Sequence, residues 1–172
     1  MIRLHPTISA DLDFVLAAER DPENLPFIGQ WTRQEHWAAL GNPDLAHLLL
    51  ERASDSQPVG YALLTGLQGV DQCILLKRLV VTIKAKGYGR AALGALKELV
   101  FVQLQAHRFW LDVKEHNLRA RHLYKTEGFV EEGVLRECLK TGAGFESLVV
   151  MSLLREEFDR LTRTQLGGYP PC

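Results

Sequence analysis

An almost continuously apolar segment that ends in a glycine-rich turn restricts the fold of this chain more than any other feature. The run from Cys73 to Ile83 includes Ile74-Leu75-Leu76 and Leu79-Val80-Val81, a pattern typical of a strand covered on both faces. Glycines at 87 and 89 follow, and apolar residues then recur at helical spacing to about Leu104. A buried strand, a glycine turn and a long helix in this order predict an α/β protein.

The flanking segments complete the predicted element order. We expect strands over residues 2–4, 45–52, 58–67, 108–113, 129–138 and 145–153, and further helices over 10–20, 32–40 and 117–126. Residues 141–144 would turn the last two strands into a hairpin. The order β-α-α-β-β-β-α-β-α-β-β predicts an α/β (α+β) fold with a mixed sheet.

Polar residues at helix starts place the predicted N-termini. Ser9 is the expected N-cap of the first helix, and Thr32 is that of the second, with Glu35 at the capping-box position. Trp37 and Leu40 would then face inward. Residues 21–29 hold two prolines and a glycine, so we expect a loop between these two helices.

Length and composition favour one domain in a reducing compartment. The 172 residues fit a single domain over 1–160 and a flexible tail over 161–172. With 20 basic and 21 acidic residues the net charge is −1, which gives no reason to expect nucleic acid or an anionic membrane as partner. The apolar runs are too short to span a bilayer, and no signal peptide is recognisable. Three scattered cysteines predict neither disulfides nor a metal site, so we expect a cytoplasmic protein.

Gly87 and Gly89 lie where the buried strand turns into a helix. Without Cβ atoms the backbone can turn sharply and approach a ligand closely. The first helical turn leaves N–H groups unpaired and carries partial positive charge, which makes it a pyrophosphate site. Lys84, Lys86 and Arg90 add cationic side chains. From these residues alone, a turn that needs glycine only for its conformation is an equal alternative.

Two known phosphate motifs fit the segment poorly. A Walker loop requires G-x-x-x-x-G-K-[ST], which is absent. A dinucleotide fingerprint requires a third glycine, where this chain has Ala92, and the acidic ribose ligand would have to be Asp112. A dinucleotide-binding oxidoreductase therefore remains a distant alternative.

Two segments together resemble the GNAT superfamily of N-acetyltransferases. Lys84-Ala85-Lys86-Gly87-Tyr88-Gly89-Arg90-Ala91 is similar to its [QR]-x-x-G-x-[GA] signature, although Lys84 stands where the family carries Gln or Arg. Residues 111–129 resemble the strand–Asn–helix–Tyr–x-x-x-Gly-Phe segment, in the family's order and spacing. The resemblance spans residues 58–153. It implies a mostly antiparallel sheet of about seven strands, flanked by helices and splayed at the cofactor site.

The resemblance also implies residue roles around acetyl-CoA. The backbone of Leu79, Val80 and Val81 would pair with the pantetheine, Asn117 would hydrogen-bond it, and Tyr124 would protonate the leaving thiolate. The pyrophosphate would be held by Lys84, Lys86, Gly87, Tyr88, Gly89, Arg90, Ala91 and Ala92. The seven-residue spacing of Asn117 and Tyr124 places both on one helical face. A plain N-cap for Asn117 and an ordinary packed aromatic for Tyr124 remain open.

One departure from the family concerns the general base. Many relatives carry Glu near the position of Leu75, whereas no carboxylate stands between Cys73 and Ile83 here. A site without it favours an α-amine, with pKa ~7.7–8.0, over a lysine amine, with pKa ~10.4. Substitute bases would be Glu35, His36, Asp71 or His116, each with a plainer interpretation: a cap for Glu35 and surface residues for the others.

The sequence therefore predicts an acetyl-CoA-dependent N-acetyltransferase. It would move an acetyl group to a primary amine, on a protein N-terminus or a small molecule, by direct attack on the thioester. By resemblance, the region that shapes the acceptor pocket contains Trp31, Glu35 and His36. A catalytically weak acyl-CoA-binding module of the same fold is the main alternative, and a homodimer is left open.

Overall fold

A seven-stranded mixed sheet forms the centre of the molecule in a computed structural model, which describes residues 1–165. Its strand order is β1-β2-β3-β4-β5-β7-β6, and β4 and β5 are its parallel pair. This confirms the predicted mixed, mostly antiparallel sheet. The strands are β1 (Ile2–Pro6), β2 (Leu45–Arg52), β3 (Pro58–Thr65), β4 (Cys73–Val81), β5 (Arg108–Lys114), β6 (Val130–Thr141) and β7 (Gly144–Leu154).

Helices cover both faces of the sheet. They are α1 (Leu12–Arg20), α2 (Arg33–Leu40), α3 (Tyr88–Lys97), α4 (Leu118–Thr126) and α5 (Arg155–Gln165), with a π-helical stretch, Glu98–Gln103, continuing α3. The larger core joins α3 and α4 to the sheet, and a smaller one joins α1 to Tyr61 and Val80. Since neighbouring strand residues point to opposite faces, these cores lie on opposite sides. Within residues 1–165 no helix is both long and apolar enough to cross a membrane.

The N-terminal helices differ from the sequence prediction in two places. Residues Ser9–Asp11 form a 3₁₀ turn before α1, and the Asp11 carboxylate, rather than Ser9, accepts a hydrogen bond from the Ile8 amide at 2.9 Å. In α2 the capping box of Thr32 and Glu35 is confirmed. The prediction that Trp37 faces inward is wrong, because it is 64% exposed.

The C-terminal helix was not expected from the sequence. Its residues are mostly polar, yet the ring of Phe158 stacks on Phe101 at 4.8 Å between centroids and anchors α5 to the core. The predicted tail therefore overlaps α5, which runs to Gln165. The rest of that tail, 166–172, lies outside the described residues.

The parallel strands β4 and β5 separate after a short stretch of pairing. Their register runs from Cys73↔Arg108 to Leu75↔Trp110. On the other side of β4, Leu64 pairs with Leu76 and Leu63 with Arg78, so Lys77 is an extra, bulged residue. A bulge bends its strand, and this one lies directly after the last β4–β5 pair. The two strands therefore splay apart from Lys77 onward, as the family resemblance implies.

Candidate active site

A cleft of about 690 Å³ fills the gap between the splayed strands. Its walls come from β4, β5, the start of α3, one side of α4 and the loop between α1 and α2. The cleft therefore collects side chains from both helical layers around one opening in the sheet.

The start of α3 presents open backbone amides to this cleft. Gly87 adopts a left-handed conformation with φ 76°, and no side chain of residues 1–165 caps the helix. The first helical hydrogen bond runs from the Ala91 amide to the Gly87 carbonyl at 3.0 Å. The preceding amides of the first turn are therefore without an intrahelical partner. A Cβ at Gly87 would meet nothing within 4 Å, so the backbone is accessible and fits a pyrophosphate.

The other residues of the predicted phosphate loop differ in whether they face the cleft. Gly89 lines the cleft, but a Cβ there would lie 3.2 Å from Leu123, so this glycine also permits close packing of α3 on α4. Ala91 already donates its amide to Gly87, and Ala92 is fully buried in the core. Tyr88 lines the cleft.

The three cationic side chains predicted to bind the pyrophosphate differ in whether their charges are already paired within the protein. Lys84 lines the cleft, but its ammonium donates to Asn24 and to the Val81 carbonyl, and burial lowers its pKa. Arg90 is exposed, and its Nε lies 3.0 Å from Glu127 Oε1. Lys86 is exposed and is not part of the cleft lining.

The end of β4 offers a strand edge to the cleft. Leu79, Val80 and Val81 pair with β3 on one side, while pairing with β5 has already ended at Leu75. The side chains of Leu79 and Val81 line the cleft, and that of Val80 is buried against α1. An extended ligand can add to such an edge through its amides.

Asn117 and Tyr124 both line the cleft, as their spacing predicts. The Asn117 side chain also caps α4 by accepting a hydrogen bond from the Ala120 amide at 3.2 Å. The ring of Tyr124 packs on Phe129 at 5.8 Å, and its hydroxyl forms no hydrogen bond within residues 1–165. Burial, with the charge of Asp112, raises the pKa of Tyr124. The phenol therefore keeps its proton at neutral pH.

Asp112 is a cleft residue whose role the sequence did not reveal. It lies on β5 between the buried Leu111 and Val113, and its side chain lines the cleft. Burial raises its pKa, although Lys77 opposes this. Its signal in the sequence, an acidic residue within an apolar strand, predicts only a ribose ligand of a dinucleotide site.

The four bases predicted from sequence all lie outside the cleft lining. Glu35 caps α2 and Asp71 is exposed in a turn. His116 lies beside the cleft, with its ring 5.7 Å from that of Phe27. His36 was expected at the surface, which is wrong, because it is fully buried. Of the predicted acceptor-pocket residues, Trp31 alone lines the cleft.

Behind Trp31 lies a buried polar network that the sequence analysis missed. Glu19 Oε1 accepts hydrogen bonds from Tyr61, Arg78 and, at 3.1 Å, His36 Nε2. Its Oε2 accepts from the Trp31 amide at 3.0 Å. Burial alone would raise the pKa of Glu19, but these hydrogen bonds and the Arg78 charge lower it to about 2. Glu19 is therefore an ionised anchor for the cleft wall.

The network continues through two histidines. His36 Nδ1 lies 3.0 Å from His47 Nε2, and His47 Nδ1 lies 2.9 Å from Thr7 Oγ1. Burial, with smaller effects from neighbouring charges, lowers the pKa of His47 to about 4. His47 is therefore neutral at physiological pH. Within residues 1–165 no group of three or more His, Cys, Asp or Glu side chains is placed to hold a metal.

Solved structures with the same fold include spermidine N-acetyltransferases from Vibrio cholerae. The one in complex with CoA and spermine superposes with a TM-score of 0.82 at 19% identity, covering 91% of this chain and 97% of that one. One in complex with manganese ions gives 0.79 at 19% identity, covering 94% and 96%. At these identities the likeness shows the fold.

Sequence comparison adds family membership. Spermidine N(1)-acetyltransferase of Vibrio cholerae serotype O1 is 31% identical over 75 residues, 44% of this chain and 43% of that protein, so the match spans less than half of the relative. The model of the acetyltransferase (GNAT) family matches residues 13–129. At the level of the family this confirms the predictions of an acyltransferase and of acetyl-CoA as its cofactor. The chain belongs to the acetyltransferase (GNAT) family.

Proposed function

We propose that this chain is an acetyl-CoA-dependent N-acetyltransferase that acetylates a primary amine, on a protein N-terminus or a small molecule. The observation that carries the proposal is that one cleft joins the open amides at the start of α3 to Tyr124, whose hydroxyl has no hydrogen-bond partner within residues 1–165. The first feature suits a pyrophosphate and the second suits a leaving thiolate.

The chain's own residues would hold the cofactor at three points. The amides of Tyr88, Gly89 and Arg90 would bind the pyrophosphate, and the free edge of β4 and Asn117 would bind the pantetheine arm. Bound acetyl-CoA supplies an acetyl group activated as a thioester, whose carbon bonds to the amine nitrogen as the carbon–sulfur bond breaks.

Asp112 and Tyr124 are the proposed proton-transfer groups. The amine must lose a proton before it can attack, and Asp112 is the cleft carboxylate that would accept it. A pKa raised above its ordinary value makes Asp112 a stronger base than an unperturbed aspartate. Tyr124 would donate its proton to the departing thiolate and regain one from the protonated Asp112 or from solvent.

The position of Asp112 argues against the alternative of a binding module without turnover. That alternative rests on Leu75, which stands where many relatives carry Glu. A carboxylate on β5 reaches the cleft from the opposite strand, so the absence of Glu from β4 does not leave the site without a base. This favours the enzyme over the module.

Binding and turnover measurements test the proposal separately. Thermal shift with acetyl-CoA, CoA and NAD should show stabilisation by the first two and none by NAD. Thiol release with a panel of amines should then show turnover. Tight CoA binding without turnover of any amine would favour the module instead. We also propose a cytoplasmic location, supported by the free thiols of Cys73 and Cys138, and the mass in solution tests the homodimer left open by the sequence.

A further inference from the structure

The cleft is lined by residues from both faces of the sheet. The start of α3 and Tyr124 belong to the face covered by α3 and α4, whereas Arg78 and Trp31 belong to the face covered by α1. With the proposed cofactor on the α3 face, an acceptor reaches the same opening from the α1 face.

The loop between α1 and α2 forms a wall of the cleft on the α1 face. It spans the separated ends of β4 and β5, since Asn24 accepts a hydrogen bond from Lys84 and the Pro26 carbonyl accepts one from Lys114 at 2.7 Å. Trp31 lies near the end of this loop and lines the cleft. We call the part of the cleft lined by Trp31, Lys77, Arg78 and Asp112 the acceptor side.

The charges on the acceptor side do not suit a polycation. Asp112 is the single carboxylate among the described residues that line the whole cleft. The cations of the acceptor side are Lys77 and Arg78, and the rest of the cleft is lined by Lys84, Arg90, Lys114 and Arg119. A polyamine carries several positive charges and would need several carboxylates to replace its hydration.

The aromatic ring of the acceptor side is also already paired with cations. Lys77 Nζ lies 5.8 Å and Arg78 Cζ 4.8 Å from the centre of the Trp31 ring. Both distances fall within the range of cation–π contact. Trp31 therefore already contacts two protein cations, and their charges would repel the cation of a substrate.

Arg78 is held in a position from which it can bind an anion. Its Nη1 donates to the buried Glu19, which fixes the guanidinium. Its Nη2 forms no hydrogen bond within residues 1–165 and lies beside Gly29, where a Cβ would be 3.5 Å away. Gly29 and Arg78 both line the cleft. A fixed guanidinium with free donors is suited to a carboxylate.

We propose that the acceptor is a primary amine with a carboxylate a few bonds away. The carboxylate would lie against Lys77 and Arg78, and the amine would point toward Asp112. This inference rests on the proposed N-acetyltransferase function and sets the chain apart from the spermidine acetyltransferases that share its fold. The same chemistry occurs in free amino acids and in peptides with an acidic residue near the N-terminus.

Matched acceptors isolate the effect of the carboxylate. The first pair consists of α-amino acids and their primary amides. The second pair consists of a tripeptide with an acidic second residue and its neutral counterpart. Spermidine is the polyamine reference. The amide lacks the negative charge, and its amine is less basic, so a larger fraction of that amine is neutral and able to attack. Amine reactivity alone would therefore favour the amide. We expect kcat/KM to be about tenfold or more higher for the acid. Calorimetric titration of the same compounds into the CoA-bound protein should give the same order.

Lys77→Gln tests the assigned residue without disturbing the fold, because Lys77 is exposed within the cleft. It should reduce the preference for the acid by about tenfold and leave the affinity for CoA unchanged. Lys140→Gln is the matched control, since Lys140 is exposed on β6, and it should change neither quantity.

The outcomes separate this inference from the proposed function. Spermidine used as well as the amino acids or better, with no effect of Lys77→Gln, would overturn the acceptor class and leave the N-acetyltransferase proposal standing. Preference for the acidic tripeptide over every free amino acid would support a peptide source, and the reverse a small molecule. No turnover of any amine despite CoA binding would overturn both proposals.

Discussion

The Glu19 carboxylate and the Arg78 guanidinium form a buried ion pair at the wall of the cleft, which Arg78 lines. Their side chains are 1% and 7% exposed, so both charges have lost most of their hydration, which costs several kcal/mol per ion. Hydrogen bonds from Tyr61, His36 and the Trp31 amide offset that cost. The pair therefore connects α1, β4 and the acceptor side into one unit.

Glu19→Gln should destabilise the fold strongly, because it leaves the Arg78 charge buried without its counterion. We expect a loss of about 3–5 kcal/mol in the free energy of unfolding, measured by urea denaturation. Asp13→Asn is the matched control: Asp13 pairs with Arg33 at the surface, so its loss should cost under about 1 kcal/mol. Similar losses in the two variants would contradict this account.

Acid should destabilise the protein through the same network. The pKa of His47 is lowered from 6.5 to about 4 and that of Glu19 from 4.5 to about 2. In each case the unfolded chain binds the proton more readily, so stability falls as pH falls, first between 6.5 and 4 and then between 4.5 and 2. Each group contributes roughly 3 kcal/mol. In His47→Gln, the decline of stability between pH 6.5 and 4 should become smaller. A wild-type free energy of unfolding that is constant from about pH 7 to 4.5 would contradict the role given to His47.

Tyr124→Phe should lower kcat and spare cofactor binding. Removal of a general acid typically costs about 10²–10⁴-fold in rate, whereas the ring that packs on Phe129 remains. The hydroxyl forms no hydrogen bond within residues 1–165, so the melting temperature should change little. Steady-state kinetics and CoA titration measure the two effects. An unchanged kcat would remove Tyr124 from the mechanism.

Gly87→Ala should impair both the fold and the binding of CoA. The left-handed φ of 76° costs alanine about 1–2 kcal/mol, and a methyl group would occupy the open surface at the start of α3. Gly94→Ala, on the same helix and also facing open space, should instead stabilise the protein by about 0.5–1 kcal/mol. CoA affinity should fall in the first variant and stay constant in the second. Equal affinities would argue against a pyrophosphate at this helix start.

Asp112→Asn should reduce kcat/KM by about 10²-fold or more and remove the decline of activity at low pH. A base acts while deprotonated, so wild-type activity should fall as pH drops below the Asp112 pKa, which burial raises above its ordinary value. Asp71→Asn is the control, because Asp71 lies in an exposed turn away from the cleft. If Asp71→Asn reduced kcat/KM by the same factor, Asp71 rather than Asp112 would be the base.

Local patterns in the sequence determined much of the sheet and the cofactor half of the cleft. The apolar run of β4, the glycines that start α3 and the spacing of Asn117 and Tyr124 all act over a few residues. Backbone periodicity and helix-end chemistry are local properties. The sequence therefore predicts these elements directly, and the family comparison confirmed the predicted family.

The acceptor half depended on contacts between residues far apart in the chain. Glu19, Tyr61 and Arg78 come from α1, β3 and β4, and Asp112 enters the cleft because the bulge at Lys77 parts β4 from β5. Glu is rarely fully buried without a partner and His is intermediate in its burial, so the sequence alone did not predict the buried position of His36. Burial and pairing of charges arise only when the strands and helices pack together, so only the tertiary structure decided which charges face the acceptor.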